Sequence, residues 1–409
     1  MSSYKKISAC RICGNPHLHK VLDLGEQVLT GIFPKQKDAV ITRGPIQLVK
    51  CVGSDEVCGL LQMAHSYDLD EMYGDNYGYR SGLNASMVKH LTTKIARIVS
   101  MVDMTGHPIV LDIGSNDGTS LAAYPDGLCQ RVGMDPTALK FKQYYPRDAH
   151  VISDFFSADK FSAMFPGEKA RVVTSFSMFY DLERPMNFAR EVAQILDDKS
   201  VWVFEQSYMP LMLERNSFDT ACHEHLEYYA YTQIHWLLER CGLKTVDVEF
   251  NDINGGSFSV TAALITSAYP AFEGVEKLLV QEAYLDQLET YENFAIRVNA
   301  VCEQLKHFVQ TAKRDGKKVA GLGASTKGNV LLQYCGFSED DIFAIAEVNS
   351  DKFGSYTPGS LIPIRPDSAV ILEADYLIVL PWHFKEFFLE KYSYCREKLV
   401  FPLPIFEKS

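Results

Sequence analysis

Between residues 109 and 265, short apolar runs alternate with stretches of helical spacing. The runs are Ile109–Ile113, Arg131–Met134, Val151–Ile152, Arg171–Ser175 and Val201–Glu205. Buried strands separated by helices predict βαβ units and a parallel sheet. Lys244–Phe250 and Ser257–Leu264 flank Asn254-Gly255-Gly256, which predicts an antiparallel finish. Apolar residues at steps of three and four, from Tyr284 through Tyr291, Val298 and Leu305 to Ala312, predict one long amphipathic helix over 275–314. A second β/α pattern follows, with strands at Val319–Leu322, Phe343–Val348 and Tyr376–Leu380. Residues 1–70 hold only strand-like pieces such as Ile46–Val49 between Gly/Pro turns, too little chain for a strong core alone. Residues 71–84 alternate Gly and Tyr and read as a loop with candidate binding aromatics.

The chain has 409 residues, 40 basic and 52 acidic, with a net charge of −12. This balance argues against a nucleic-acid partner, which needs clustered Lys and Arg. No apolar stretch approaches the roughly 20 residues of a membrane span, and the first residues lack a secretory core, so a cytoplasmic location is expected. Ten cysteines in so long a chain do not suggest a disulfide scaffold. Four of them, Cys10, Cys13, Cys51 and Cys58, fall in the first 58 residues, with Gly14 and Gly59 after the second of each pair. Two knuckles of this kind predict a tetrahedral structural Zn2+ site.

Two glycine turns follow predicted strands. The first, Asp112-Ile113-Gly114-Ser115-Asn116-Asp117-Gly118, departs from the dinucleotide pattern, and its acids would repel a pyrophosphate. They suit S-adenosylmethionine, which carries an ammonium and a sulfonium. Asp135, 21 residues after Gly114, is placed to accept from ribose hydroxyls. Asp154 and Phe155 after the third strand, Ser177 after the fourth and Glu205 closing the fifth complete the candidate donor set with Asn116, Asp117 and Gly118. The second turn, Gly321 to Asn329, offers amides, Ser325, Thr326 and Lys327 at a helix start, and reads as a diphosphate cradle. Asn329, Asn349, Lys352 and Tyr356 add polar groups to that candidate substrate set. Between the turns, His223-Glu224-His225 is the candidate for proton chemistry. Its histidines, at i and i+2, would share a face in an extended or turn conformation.

The ordered set of these motifs resembles the sugar C-methyltransferase family, over nearly the whole chain. The resemblance implies an α/β protein: a zinc module (1–70), a Rossmann-like S-adenosylmethionine-binding domain (71–265), and a second Rossmann-like domain that helps hold a sugar nucleotide (266–409). It implies methyl transfer to a carbon, with C3 favoured, of a nucleotide-linked 4-keto-6-deoxysugar through an enolate. It implies His225 as the base, Glu224 as its support, and Tyr77 and Tyr79 beside substrate and donor, with His223 or a loop tyrosine stabilising the enolate oxygen. Two departures stand out: Cys222 and Asp181 lie where some relatives carry Tyr and His. An NAD-dependent nucleotide-sugar oxidoreductase and a non-catalytic nucleotide-sugar binder are the alternatives. The oligomeric state, monomer or homodimer, is left open.

Overall fold

A computed structural model describes residues 4–54, 56–68, 72 and 80–408. In chain order the strands are β1 (Tyr4–Lys6), β2 (Leu18–Val28), β3 (Arg43–Cys51), β4 (Leu61–Met63), β5 (His65–Tyr67), β6 (Ile109–Ile113), β7 (Gln130–Met134), β8 (His150–Ile152), β9 (Ala170–Phe176), β10 (Val201–Ser207), β11 (Glu227–Tyr228), β12 (Leu243–Asn251), β13 (Ser257–Leu264), β14 (Val319–Leu322), β15 (Ile345–Glu347), β16 (Ile364–Pro366), β17 (Tyr376–Val379), β18 (Leu399–Phe401) and β19 (Glu407–Lys408).

The largest sheet has the order β12-β13-β10-β9-β6-β7-β8. Its first five strands in the chain are parallel, and β13 inserts antiparallel between β10 and β12. All five residues of β6 are buried, which explains its unbroken apolar run. The second sheet, β16-β15-β14-β17-β18-β19, is parallel except for β19. In both sheets the chain starts in the middle and then builds to either side. Each therefore has a crevice at the carboxyl end of its first strand, β6 or β14, where strand order reverses. Both glycine turns lie at these two points.

The third sheet, β11-β4-β3-β2, joins the N-terminal strands to a two-residue strand from far along the chain. Apolar residues of this sheet, Ile46, Leu48 and Met63, share one core with the C-terminal sheet and the helix Leu288–Arg314. Cys10, Cys51, Cys58 and Leu60 pack into the core of the seven-stranded sheet instead. The small N-terminal segment is thus stabilised by two neighbours, which answers its lack of core.

The predicted helix over 275–314 is not continuous. Val275–Glu282 gives way to a 3-10 turn, Ala283–Asp286, and extended backbone at Gln287 before Leu288–Arg314. Glu282 ends the first segment and is buried. Its carboxylate accepts from the Tyr231 and Thr232 amides, the Thr232 hydroxyl and the Tyr208 hydroxyl, at 2.6 to 3.0 Å. Among the described residues no helix is long and apolar enough to cross a membrane.

Candidate active site

The first turn opens onto a cavity of about 300 Å³ at the carboxyl edge of the large sheet. Gly114 (φ 70°) and Asn116 (φ 49°) adopt left-handed backbone, and the Gly114 amide reaches the Met134 carbonyl at 2.9 Å. A Cβ on Gly114 would lie 3.0 Å from Met178 Cγ, so only Gly keeps this wall of the cavity clear. Asp112, Gly114, Asn116, Asp135, Phe155, Ser177 and Glu205 all line it. The other three members of the candidate donor set do not. Asp117 is turned back to the Gly82 amide and the Arg80 guanidinium. Gly118 (φ 75°) starts the helix Thr119–Ala122 against Tyr145, and Asp154 is exposed and paired with Lys160.

The electrostatics of the cavity suit a cation. Asp135 Oδ2 accepts from the Asn116 amide at 2.9 Å, and its Oδ1 accepts from the Thr137 amide and hydroxyl at 2.6 Å. Burial raises Asp112 to a pKa of about 7; the Thr174 hydroxyl opposes that shift and the nearby charge of Asp135 adds to it. A positively charged ligand would offset this cost of two close carboxylates. Glu205 differs. Burial raises its pKa, but His90 and Lys94 outweigh burial and hold it below the ordinary carboxylate range. Its oxygens meet His90 Nε2 (2.5 Å), Lys94 Nζ (3.0 Å) and Asn251 Nδ2 (2.9 Å). His90 and Lys94, four apart on Ala85–Met101, were missed; a polar i, i+4 pair beside buried Leu91 and Ile95 was the available signal. With carboxylates above, aromatic Phe155 and Phe156 at one side and no lysine or arginine among its lining residues, the cavity fits S-adenosylmethionine.

The His-Glu-His segment follows a 3-10 turn, Phe218–Thr220, and ends in a turn closed by the His225 amide on the Cys222 carbonyl (3.1 Å). This turn splays the three side chains, so the two histidines do not share a face. His223 is fully buried against the N-terminal sheet, with Nε2 3.4 Å from the Gly44 carbonyl and its ring edge-on to Tyr67. Glu224 keeps a buried oxygen without a partner, and burial raises its pKa, with the Cys222 thiol opposing. His225 stands 4.6 Å, ring to ring, from Tyr180, at the mouth of a second, water-sized cavity shared with Thr220, Glu227 and Tyr228. Its Nδ1 bonds the Thr220 carbonyl at 2.8 Å, which places the proton on Nδ1 and leaves Nε2 as the basic atom. Burial lowers its pKa to about 4; the Thr220 carbonyl opposes this and the Lys327 charge adds to it. Tyr77 and Tyr79 lie outside the described residues. Cys222 is buried, and Asp181 lines the larger cavity.

The second turn is partly engaged by the protein itself. Glu347 accepts from the Ala324, Val348 and Asn349 amides, and Ser325 caps its helix by accepting from Gly328. Thr326 opens the helix Thr326–Tyr334. Asn329 is buried and donates to the Thr30 carbonyl, and Asn349 caps a 3-10 turn. Lys352 donates to the Ala324 carbonyl, and Tyr356 pairs through its amide with Pro34. Of the candidate substrate set, Asn329, Asn349 and Lys352 are thus engaged by hydrogen bonds within the protein. Lys327 instead reaches the Asn254 carbonyl at 2.9 Å, and its charge is felt at His225.

In the N-terminal segment, the sulfurs of Cys10, Cys13, Cys51 and Cys58 lie within 4.8 Å of one another. Cys10 and Cys58 are 3.4 Å apart, and Cys13 and Cys51 are 3.5 Å apart. Gly14 (φ 72°) and Gly59 (φ 66°) supply the left-handed turns. Four thiols at these separations fit tetrahedral Zn2+, with no position open for substrate. The other six cysteines are buried.

Family models match in chain order: a zinc binding domain over residues 10–73, a methyltransferase domain over 87–248 and a C-methyltransferase C-terminal domain over 252–404. The chain is 28% identical over 386 residues to C-methyltransferase NovU of Streptomyces niveus, covering 93% of this chain and 91% of the relative. Among solved structures it is similar to an O-methyltransferase family protein from Burkholderia thailandensis (15% identity, 49% of this chain and 63% of that one, TM-score 0.37). It is also similar to magnesium protoporphyrin IX methyltransferase from Synechocystis with bound S-adenosylhomocysteine (13% identity, 47% and 90%, TM-score 0.35). The matched domains follow one another from Cys10 to Pro404 with short gaps, and the chain is an S-adenosylmethionine-dependent methyltransferase with an N-terminal zinc-binding domain and a C-terminal domain similar to that of C-methyltransferases.

Proposed function

We propose that the acceptor is a nucleotide-linked 4-keto-6-deoxysugar, methylated at the carbon beside its ketone, with C3 favoured, and that His225 is the base. When bound, S-adenosylmethionine supplies an electrophilic methyl group on a sulfonium. The remaining work falls to the chain. A carbon becomes nucleophilic when a C–H beside a carbonyl is removed, because the charge then spreads onto oxygen. One observation carries this reading: His225 has its Nδ1 proton held by Thr220, its Nε2 open, and its ring against Tyr180, in the 3-10 turn that follows β9 and whose Asp181 lines the donor cavity. Asp112 and Asp135 hold the donor, the latter through the ribose. Glu205, fixed by His90 and Lys94, shapes the far side.

The test is His225→Ala assayed with methyl-labelled donor and a panel of nucleotide-linked 4-keto sugars. Transfer is expected to fall by at least about 100-fold, with donor affinity unchanged. Near-normal turnover would remove His225 from the base role. The low pKa of His225 means that the neutral form persists below pH 6. As far as this group decides, turnover should hold to about pH 5 and fall as pH drops through about 4.

A further inference from the structure

An enolate needs a partner for its oxygen, and His223, one of the expected donors, does not supply one. His223 is buried against the N-terminal sheet, away from His225. The loop tyrosines fall outside the described residues. In the Lys327 turn the Ala324 and Gly328 amides are already bonded, to Glu347 and Ser325, and the Lys327 side chain does not fold back onto that turn. Its side chain crosses to the hairpin at Asn254, half-buried, and uses one of its three N–H groups there.

The surroundings of Lys327 carry unmet hydrogen bonds. Asp219 is 1% exposed. Its Oδ2 accepts from the Trp382 indole at 2.8 Å, and its Oδ1 has no partner. His383 Nδ1 is likewise buried without a partner. His383 packs on the same hairpin, its Cβ about one van der Waals contact from Gly255. The Lys327 charge acts on Asp219, His225 and His383 alike, pushing both imidazoles further toward the neutral form. Buried polar atoms left open around one cation and one free imidazole nitrogen mark a place for a polar ligand.

We propose that the Lys327 ammonium donates a hydrogen bond to the ketone oxygen of the acceptor and holds the enolate charge, with Asp219 as the buried counter-charge that keeps Lys327 ionised. This rests on the proposed carbon acid and His225 base. In the step, the proton leaves carbon for His225 Nε2, and the C–H electron pair forms the carbon–carbon double bond. The carbonyl pair moves onto oxygen, where Lys327 meets it. The carbonyl re-forms as the carbon takes the methyl group, and the donor departs as a neutral thioether. A preorganised cation at a developing oxyanion acts mainly on the transition state.

The experiment compares wild type, Lys327→Met, Lys327→Arg and Asp219→Asn with dTDP-4-keto-6-deoxyglucose in D2O, S-adenosylhomocysteine filling the donor site. Deuterium entry at the carbon beside the ketone is read by NMR, and dTDP affinity by calorimetry. Lys327→Met is expected to slow exchange about 100-fold, with dTDP affinity changed less than threefold. Lys327→Arg should recover part of the exchange, and Asp219→Asn should slow it by about tenfold. Near-wild-type exchange in Lys327→Met, or a tenfold or greater loss of dTDP affinity with exchange intact at saturation, overturns the assignment and makes Lys327 a diphosphate ligand. If Lys327→Met fails to fold, Lys327→Arg and Asp219→Asn decide: wild-type exchange in both overturns the assignment. Absence of exchange in wild type with this and other nucleotide-linked 4-keto sugars defeats the substrate reading itself, an outcome distinct from either.

Discussion

The two glycine turns have the same parentage and opposite fates. Each follows the first strand of a parallel sheet, sits where strand order reverses, and starts a helix. The turn after β6 opens onto a cavity of about 300 Å³ walled by carboxylates and aromatics. At the turn after β14, a carboxylate from the next strand, Glu347, accepts from the turn amide of Ala324. A strand–glycine–helix signal therefore marks a crevice but not a ligand. Whether the crevice is free depends on which side chain the neighbouring strand sends into it. Asp135, from the strand beside β6, also reaches its turn, through the Asn116 amide, yet it remains on the cavity wall.

The largest expected effect comes from closing the open turn. Gly114→Val forces a branched side chain into left-handed backbone and toward Met178. Affinity for S-adenosylhomocysteine should fall about 100-fold, about 3 kcal/mol. The matching change, Gly323→Ala (φ 86°, its Cβ meeting Pro381), should lower stability by about 1 to 3 kcal/mol and leave that affinity alone. Equal losses of donor affinity in both would erase the distinction between the turns. Next, Asp135→Ala should weaken donor binding by about 10- to 100-fold, the range of a charged hydrogen bond. Unchanged affinity by calorimetry would exclude it from the ribose role.

A smaller effect comes from pH. Because the folded-state pKa of Asp112 is raised to about 7, the folded protein holds a proton that the unfolded chain releases near pH 4. Its contribution to stability is therefore lost as pH rises from about 4 to about 7. A cationic donor favours the ionised form, so binding should release this proton. Affinity for S-adenosylmethionine should rise about tenfold from pH 6 to pH 8, and Asp112→Asn should flatten that dependence. The smallest effect on the donor is none: Glu347→Ala should lower the melting temperature by several degrees, with about 1 to 3 kcal/mol lost from three amides left open, and not alter donor affinity.

What was legible in the sequence follows from how local each feature is. Ile109–Ile113 and Ser257–Leu264 are bounded by their own composition, and the structure has these strands at those residues. The break at Gln287 has no Gly or Pro to announce it, and Glu282, at the end of the preceding helix, is held by residues some fifty positions earlier. The strands β16, β18 and β19 are two or three residues long, too short for periodicity to reveal. In the site, residues on the strand ends of the large sheet could be placed from strand order alone. Lys327 could not, because its direction depends on the hairpin from the other sheet. Nor could the splaying of His223 from His225, in which a turn sends His223 against distant Gly44 and His225 against Tyr180. Glu227, buried beside His225 and 3.7 Å from Arg11, belongs to the same class of nonlocal feature.

The two-residue strand β11 has a consequence for how the protein can be taken apart. Residues 227–228 sit two positions beyond His225 and hydrogen-bond to β4, while Arg11, between two cysteines of the zinc set, reaches Glu227. The N-terminal segment is therefore not an interchangeable cassette. A chimaera that swapped only its first 70 residues for those of a relative would carry a foreign docking strip under its own His223–His225 loop. To stay in register, such an exchange would have to move residues 219–229 together with the N-terminal part, treating two segments far apart in the chain as one unit of inheritance.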